Sequence, residues 1–278
     1  MHKIGSSARP DWSLAVVVGA GGMGMAVARR LSQRRRVLIA DIDAGRAQAA
    51  AEALRSEGAD ASGIACDVTD PASVAALARV VADQGGFQVL AHVAALAPAV
   101  SDFGQIIRVN LTGAALVAEA LRPLASAGTA AILIASTAGH NVRPAEAVEA
   151  LLRSPTDPDL VEKLTAVLEA DEVRPSYAYI LSKYAVIAYC RRQAPAWGAR
   201  GARIVSISPG LIATPMGATT YEKFPEKMRL FERTPLQREG TMLEIADAIE
   251  FLASDRASFI SGTDLLVDGG LTAAVASG

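Results

Sequence analysis

Gly19-Ala20-Gly21-Gly22-Met23-Gly24 follows the apolar run 14–18 and opens a helical pattern that continues to Gln33. The spacing G-x-G-x-x-G between a strand and a helix is typical of a dinucleotide-binding βαβ unit. Glycine permits a tight turn and close approach of a pyrophosphate, while the helix N-terminus offers free N–H groups and a positive dipole end. Plain packing of a strand on a helix is the alternative use of such a turn. We expect this turn to bind a cofactor through Gly19, Gly21, Gly22, Met23 and Gly24.

The same rhythm of short apolar runs and longer amphipathic runs extends along the whole chain. It predicts strands at 14–18, 37–40, 61–65, 88–93, 130–135, 203–207 and 264–267, and helices at 22–33, 44–57, 71–84, 102–126, 176–197 and 243–254. Strands that alternate with helices imply a parallel sheet covered on both faces. We therefore predict one α/β domain over residues 1–278, a Rossmann-like doubly wound parallel sheet. Two irregular segments interrupt it, an insertion at about 141–175 and a loop at about 216–237.

Composition excludes several other classes of protein. The 278 residues carry 27 Lys and Arg against 29 Asp and Glu, so there is no positive field that would attract nucleic acid. We reject a signal sequence at 12–28 because glycines interrupt it, and no other uncharged run approaches the roughly 20 residues of a spanning helix. Cys66 and Cys190 cannot form a disulfide framework, and their separation fits no zinc site. The sequence thus predicts a cytoplasmic protein with no membrane or nucleic-acid partner.

Asp41 indicates which dinucleotide is bound. It lies 22 positions after Gly19 at the end of the second predicted strand, close to the distance expected for an acid that binds the adenosine ribose hydroxyls. The alternative role is to cap the next helix, which Asp43 could also do. A carboxylate at this position repels a 2′-phosphate, and the neighbouring Ile42 offers no positive charge to accept one. We expect NAD rather than NADP.

Tyr179 and Lys183 stand one helical turn apart on the same face of a predicted helix. Alone, such a pair is usually an ordinary pair of surface neighbours. Here it belongs to a series that resembles the short-chain dehydrogenase/reductase superfamily from about 14 to 270, apart from the insertion. The matching features are the glycine turn, Asp67 after the third strand, Asn110 in Val-Asn-Leu-Thr-Gly, Ser136 in Ala-Ser-Thr-Ala-Gly, Tyr179 with Lys183, the stretch 208–215, and the C-terminal third from 234 to 270.

The resemblance implies a catalytic role for four of these residues. Tyr179 would be the general acid/base, Ser136 would hydrogen-bond the substrate oxygen, and Lys183 would bind the nicotinamide ribose and favour ionised Tyr179. Asn110 would hold a water in the proton relay. A phenol with a pKa near 10 is a poor base at neutral pH, and lowering that pKa by two to three units requires about 3 to 4 kcal/mol. A neighbouring ammonium and the positive nicotinamide ring are the expected source.

The same resemblance implies the remaining cofactor contacts. Asp67 and Val68 would border the adenine, although Asp67 could instead cap a turn or helix before Pro71. Thr214 and the backbone of Pro209 and Gly210 would hold the nicotinamide carboxamide. Ala94, Ile42 and Ile212 complete the expected set. We expect no metal site, because His92 and His140 lack suitably spaced ligand partners. His140 lies four residues after Ser136, so contact with the substrate is one interpretation of it, and a hydrogen-bonded loop histidine is the simpler one.

The chain also departs from the family pattern. Val18 stands where the family has Thr, the glycine turn is one residue shorter, and His92-Val93-Ala94-Ala95 replaces N-N-A-G. Ser136 and Tyr179 are 43 positions apart instead of about a dozen. Members that resemble bacterial 3α-hydroxysteroid dehydrogenase/carbonyl reductase carry a comparable insertion.

The two irregular segments should shape what the protein binds. Apolar positions in the insertion recur at helical spacing, which predicts two short helices joined around 155–158. We expect them to shape substrate entry or a subunit contact, with a solvated excursion as the alternative. The later loop carries Met216, Tyr221, Phe224, Met228 and Phe231, which favour an apolar substrate lid, or else the packing of a surface helix.

Together these features predict an NAD-dependent oxidoreductase. It would interconvert a secondary alcohol and a carbonyl on a small hydrophobic substrate, alicyclic or steroid-like in character. The resemblance also implies a homodimer or homotetramer paired through the helix of Tyr179 and Lys183. A dinucleotide-binding regulator without turnover is the main alternative, and a methyltransferase would leave the Tyr179 and Lys183 pair unexplained.

Overall fold

The alternation of strands and helices predicted from the sequence is confirmed in the computed structural model, which describes residues 13–213 and 225–277. Within these residues the strands are β1 (Leu14–Val18), β2 (Arg36–Asp41), β3 (Ala61–Ala65), β4 (Val89–His92), β5 (Ala130–Ile134), β6 (Arg203–Pro209), β7 (Ile212–Ala213), β8 (Gly240–Thr241) and β9 (Asp264–Val267). The helices are α1 (Gly22–Leu31), α2 (Ala44–Ser56), α3 (Pro71–Asp83), α4 (Phe103–Ile107), α5 (Ala114–Leu121), α6 (Glu146–Leu152), α7 (Leu160–Val167), α8 (Pro175–Gly198), α9 (Pro225–Arg233), α10 (Met242–Leu252) and α11 (Leu271–Ser277).

The long strands form one parallel sheet in the order β3-β2-β1-β4-β5-β6-β9. Every residue of β1, β4 and β6 is buried, because helices cover both faces of a parallel sheet. Alternate side chains separate into two cores. Leu90 and Leu133 pack with α3, α5 and α8 on one face, whereas Val89 and Ile132 pack with α1, α2 and α10 on the other. The predicted doubly wound architecture is therefore present.

The helix predicted over 102–126 is not one regular α-helix. Asp102 caps the start of α4, but residues Arg108–Gly113 form a π-helix before α5 continues and Arg122–Leu124 close it as a 3₁₀ turn. A π turn adds a residue to the helical repeat, and π turns are frequent at functional sites. Asn110 lies in the middle of this turn.

The insertion contains the two predicted helices, α6 and α7, and four residues of their apolar stripe are buried, namely Val148, Leu152, Leu160 and Leu164. Val167 of the same stripe is 47% exposed. Leu152 and Leu164 belong to the same core as α8. The Arg192 guanidinium of α8 donates to the Leu152 carbonyl at 3.2 Å, and Arg108 after α4 pairs with Glu162 of α7 at 3.5 Å. The insertion is thus packed against α4 and α8, and no residue from 178 to 190 of α8 is exposed.

None of the helices in the described part of the chain combines the length and the apolar character needed to cross a bilayer.

Candidate active site

The glycine turn lies at the carboxyl end of β1, and its backbone explains why glycine is needed. Gly19 has φ of +102°, and a Cβ there would lie 2.8 Å from the backbone nitrogen of Ala94. A Cβ on Gly24 would collide with the Gly19 carbonyl oxygen, whereas Gly21 has open space around its Cβ position. No described side chain caps the start of α1. Its first N–H groups are available to an anion, so the turn fits a pyrophosphate.

Gly22 and Met23 complete the turn and fix it to the rest of the fold. A Cβ on Gly22 would lie 3.1 Å from the Met242 sulfur of α10. Met23 is partly buried against the same core as α10. The start of α1 is therefore held close to α10, and the open side of the turn is the one at Gly21.

Asp41 is buried at the end of β2 and is anchored to this turn. Its Oδ2 accepts from the Ala20 backbone N–H at 2.8 Å, and its Oδ1 accepts from the Asp43 N–H at 3.0 Å. Asp43 is the residue that caps α2, through the Arg46 N–H. Capping is thus the role of Asp43, and Asp41 keeps lone pairs for a ribose hydroxyl. Ile42 beside it is 68% exposed.

Arg46 lies next to Asp41, and no motif in the sequence indicated this contact. Its Nη1 lies 3.2 Å from Asp41 Oδ1, and its side chain is half exposed. Arg46 is five residues after Asp41 and lies in the first turn of α2. Projecting this helix from its cap at Asp43 would have placed the Arg46 side chain near Asp41. The predicted ribose site therefore has a cation next to the carboxylate.

The residues expected at the adenine lie beside the ends of β3 and β4. Asp67 Oδ1 accepts from both the backbone N–H and the hydroxyl of Thr69, at 2.9 and 2.7 Å, so Asp67 closes a turn. Asp70 caps α3 instead. Val68 is buried against Gly113 of the π turn, and Ala94 contacts Gly19 from the end of β4.

The residues expected at the nicotinamide lie where β6 ends. Gly210 donates its N–H to the Val267 carbonyl of β9 at 3.0 Å, and a Cβ at Gly210 would lie 2.7 Å from Asp268 Cα. Pro209 is the last residue of β6, and Ile212 pairs with Gly240 in the small sheet of β7 and β8. Thr214, Met216, Tyr221 and Phe224 lie outside the described residues. Met228 and Phe231 lie on α9, where Met228 is 44% exposed.

Three of the four predicted catalytic residues meet at the carboxyl end of β5. Ser136 follows this strand, and Tyr179 and Lys183 face it from α8. The Lys183 ammonium donates to the Ile134 carbonyl at 2.9 Å and lies 5.6 Å from the centre of the Tyr179 ring. The Ser136 hydroxyl lies close enough to the Tyr179 phenol to lower the pKa of that phenol. The fold therefore joins residues that the insertion separates by 43 positions.

Burial governs the protonation of this cluster. It raises the pKa of the Tyr179 phenol above its usual value, and the hydrogen bond with Ser136 opposes that shift. Burial also lowers the pKa of Lys183 to about 8. The expected lowering of the phenol pKa is thus not produced by the protein groups alone, because removing the phenolate from water outweighs the help from Ser136.

Asn110 contacts the loop after β4 rather than Lys183. Its Oδ1 accepts from the Leu96 N–H at 2.7 Å, and its Nδ2 donates to the Leu96 carbonyl at 3.0 Å. The same Nδ2 lies 3.4 Å from the Ser182 hydroxyl of α8. The buried amide therefore fixes the π turn against both the loop and α8.

The two histidines differ in their surroundings. His92 ends β4 and is buried, and its pKa falls to about 3 because of that burial and the nearby Lys183 charge. Its Nε2 has no hydrogen-bond partner within the described part of the chain. His140 lies 2.9 Å from Asp264 at Nε2, a contact across 124 positions that no local pattern indicates. Residues 13–213 and 225–277 contain no group of three His, Cys, Asp or Glu side chains suited to a metal.

Comparison with known proteins places this geometry in a large group of enzymes. Residues 18–154 and 164–272 match the family model described as enoyl-(acyl carrier protein) reductase. The chain is 35% identical over 274 residues to cis-4-hydroxycyclohexanecarboxylate dehydrogenase of Sinomonas cyclohexanicum, covering 94% of this chain and 96% of the relative. It is 32% identical over 266 residues to a short-chain dehydrogenase/reductase of Alternaria brassicicola, covering 94% and 96%.

Further matches extend this set. D-threitol dehydrogenase of Mycolicibacterium smegmatis is 33% identical over 276 residues, covering 95% of this chain and 94% of the relative. The crystal structure of gox2181 superposes with a TM-score of 0.77 at 28% identity, covering 95% of this chain and 97% of that one.

Proposed function

This chain belongs to the short-chain dehydrogenase/reductase superfamily, and we propose that it is an NAD-dependent enzyme that interconverts a secondary alcohol and a carbonyl. Family membership makes it an oxidoreductase with a nicotinamide cofactor. The observation that carries the finer proposal is the meeting of Ser136, Tyr179 and Lys183 at the sheet edge that also holds the glycine turn. A non-catalytic regulator would need the turn but not this cluster.

In this proposal Tyr179 moves the proton and Ser136 orients the substrate. The Ser136 hydroxyl can both donate and accept, so it can hold the substrate oxygen whichever charge that oxygen carries. The bound nicotinamide supplies the hydride acceptor or donor. Tyr179 takes the hydroxyl proton in alcohol oxidation and returns it in carbonyl reduction.

Lys183 and Asn110 assist the proton transfer by Tyr179 without contacting the substrate in this proposal. The Lys183 ammonium, anchored on Ile134, binds the nicotinamide ribose and offsets the burial that raises the phenol pKa. Asn110 holds the π turn and the Leu96 loop, and we assign it the water of the proton relay. Since burial opposes phenolate formation, we expect Tyr179 to ionise only when the cofactor's positive charge is bound.

The cofactor contacts follow the order of the sheet edge. Gly19, Gly21, Gly22, Met23 and Gly24 take the pyrophosphate, Asp41 and Ile42 the adenosine ribose, and Asp67, Val68 and Ala94 the adenine; Pro209, Gly210, Ile212 and Thr214 take the nicotinamide. The carboxylate of Asp41 supports NAD, because it is buried, is held by the N–H groups of Ala20 and Asp43, and would repel a 2′-phosphate. Arg46 supports NADP as the alternative, because its guanidinium lies beside the carboxylate that we assign to the adenosine ribose and could pair with a 2′-phosphate.

We propose a hydrophobic cyclic alcohol or ketone as the substrate. Support comes from the named cis-4-hydroxycyclohexanecarboxylate dehydrogenase and from (-)-isopiperitenol/(-)-carveol dehydrogenase of Mentha piperita, 30% identical over 272 residues. D-threitol dehydrogenase is the counterexample, so a polyol belongs in the same assay.

We also propose a single domain that forms a homodimer or homotetramer in the cytoplasm. The free, buried thiols of Cys66 and Cys190 support a reducing compartment. The subunit contact in this proposal runs through α8, the helix of Tyr179 and Lys183.

The decisive experiment is a spectrophotometric screen of cyclic secondary alcohols, ketones and polyols with NAD(H) and NADP(H). For the active substrate, Tyr179→Phe should lower kcat by about 10²-fold or more while the Kd for NADH stays within about twofold, because only the proton-carrying oxygen is lost. Tyr184→Phe on the same helix is the matched control and should keep full turnover. Wild-type protein that binds NADH but turns over no compound of the panel would favour the regulator.

A further inference from the structure

His140 joins the turn after Ser136 to β6 and to the edge strand β9. It ends the short 3₁₀ turn Thr137–His140 that begins directly after Ser136. Its Nε2 lies 2.9 Å from Asp264 Oδ2 and 3.3 Å from the Ser208 hydroxyl. Asp264 opens β9 and Ser208 belongs to β6, so one imidazole ties the turn to two strands.

The buried Asp264 carboxylate has the His140 imidazole as one of its hydrogen-bond partners. Its side chain is 2% exposed, and its other oxygen accepts from the Ser206 hydroxyl at 2.5 Å. The buried Cys190 thiol faces the carboxylate from α8, but burial and that charge raise the Cys190 pKa, so it stays neutral. Within the described residues no Lys or Arg forms an ion pair with Asp264. Since a carboxylate only accepts hydrogen bonds, it fixes the proton of His140 on Nε2.

The turn held by His140 is also the turn that holds Ser136. The Ser136 hydroxyl accepts from the Ala138 N–H at 3.2 Å, and the Gly139 N–H donates to the Ser136 carbonyl at 3.0 Å. A Cβ on Gly139 would lie 2.7 Å from the backbone of Lys183. The turn is thus in direct contact with α8 beside the lysine, and a shift of its far end displaces Ser136 relative to Tyr179.

We propose that His140, anchored by Asp264, is a positioning residue that sets the distance between the Ser136 hydroxyl and the Tyr179 phenol. This inference rests on the proposed function, because it assigns His140 a part in the same reaction. His140 does not itself touch the reacting atoms in this proposal. It acts through the five-residue turn.

The test compares two substitutions at one position. His140→Gln keeps an N–H donor at about the reach of Nε2, whereas His140→Leu keeps the volume and removes the donor. We expect His140→Leu to lower kcat by about 10- to 100-fold with little change in NADH Kd, since small misplacements of reacting groups have effects of this size. His140→Gln should recover most of that loss, which a loss of packing alone would not allow.

A second readout needs no substrate. The phenol of Tyr179 can be titrated by ultraviolet difference spectroscopy of the NAD-bound protein, with Tyr179→Phe as the reference. Because the hydrogen bond with Ser136 lowers the pKa of this phenol, His140→Leu should raise it and His140→Gln should leave it near the wild-type value. Asp264→Asn, which keeps size and an acceptor oxygen, should shift the titration in the same direction as His140→Leu.

The outcomes separate this inference from the proposed function. If wild-type protein turns over no substrate, the proposed function fails, and the phenol titration still decides the role of His140. His140 has no positioning role if wild-type protein is active, the kcat of His140→Leu stays within about twofold of the wild-type value, and the pKa of Tyr179 is unchanged in that variant. Should His140→Leu fail to fold, Asp264→Asn and His140→Gln give the same two readouts.

Discussion

Replacing Lys183 with methionine should stabilise the protein while it abolishes turnover. Lys183 is 2% exposed, and its one described hydrogen bond goes to the Ile134 carbonyl. Burial lowers its pKa from 10.5 to about 8. The fold therefore disfavours the charged amine, which is nevertheless the form present at neutral pH.

The size of the effect follows from that shift. A difference of this size corresponds to about 3 kcal/mol of lost stability at pH 7, where both folded and unfolded states carry the charge. Methionine removes this penalty but forfeits a hydrogen bond worth about 1 kcal/mol to a neutral amine. We expect Lys183→Met to raise the free energy of unfolding by about 2 kcal/mol at pH 7.

The pH dependence gives a second check with a definite sign. Between the folded pKa near 8 and the unfolded value near 10.5, the unfolded state binds more protons, so wild-type stability rises with pH relative to the variant. The advantage of Lys183→Met should therefore shrink and reach about zero near pH 10. Urea unfolding at pH 7, 8, 9 and 10, followed by tryptophan fluorescence and circular dichroism, measures both quantities.

A matched surface variant separates burial from the simple loss of a charge. Lys163 is half exposed and pairs with Asp157 at 2.6 Å, which raises its pKa. Lys163→Met should thus not raise the free energy of unfolding. The difference in this free energy between Lys163→Met and wild type should also stay constant from pH 7 to pH 10. The reasoning that burial penalises this lysine would be refuted if Lys183→Met were no more stable than wild type at pH 7. It would also be refuted if the difference in free energy of unfolding between the two proteins did not depend on pH.

Three further predictions concern the cofactor and the insertion. Asp41→Ala combined with Ile42→Arg should shift kcat/KM from NAD towards NADP, because it removes a like charge and adds a guanidinium; a wild-type preference for NADP would contradict the ribose role of Asp41. Arg46→Ala alone should weaken any residual NADP activity by about tenfold and change NAD activity little, and a uniform loss would mean that Arg46 acts through Asp41. Replacing 143–174 with a short Gly/Ser linker should change the substrate KM, the oligomer mass in light scattering or both, with NAD binding largely kept, because it removes Leu152 and Leu164 from the core that they share with α8; unchanged mass and unchanged substrate KM would leave the insertion without either role.

Most of the sheet could be predicted because its signals are local. The glycine turn marks the first strand-to-helix junction, and fully buried strands appear as continuous apolar runs. The bounds of β1, β3 and β9 agree with the sequence prediction residue by residue. The two insertion helices were also predicted, since their apolar residues recur at helical spacing.

What the sequence could not predict depends on long-range contacts or on small changes of helical repeat. The π turn at 108–113 differs from an α-helix by about one residue per turn. A segment of six residues is too short for its apolar pattern to distinguish the two helix types. His140 meets Asp264 only because β9 lies next to β6 in the sheet. Spacing predicts helices but does not determine which surface α6 and α7 will cover.

The position of the insertion bears directly on how the active site keeps its geometry. From 178 to 190, α8 has no exposed residue, and so much burial requires neighbours on most sides of the helix. Lys183 of this helix donates to Ile134 at the end of β5, Ser182 lies beside Asn110 of the π turn, and Arg192 donates to Leu152 at the end of α6. The helix that carries Tyr179 is thereby fixed by its own chain.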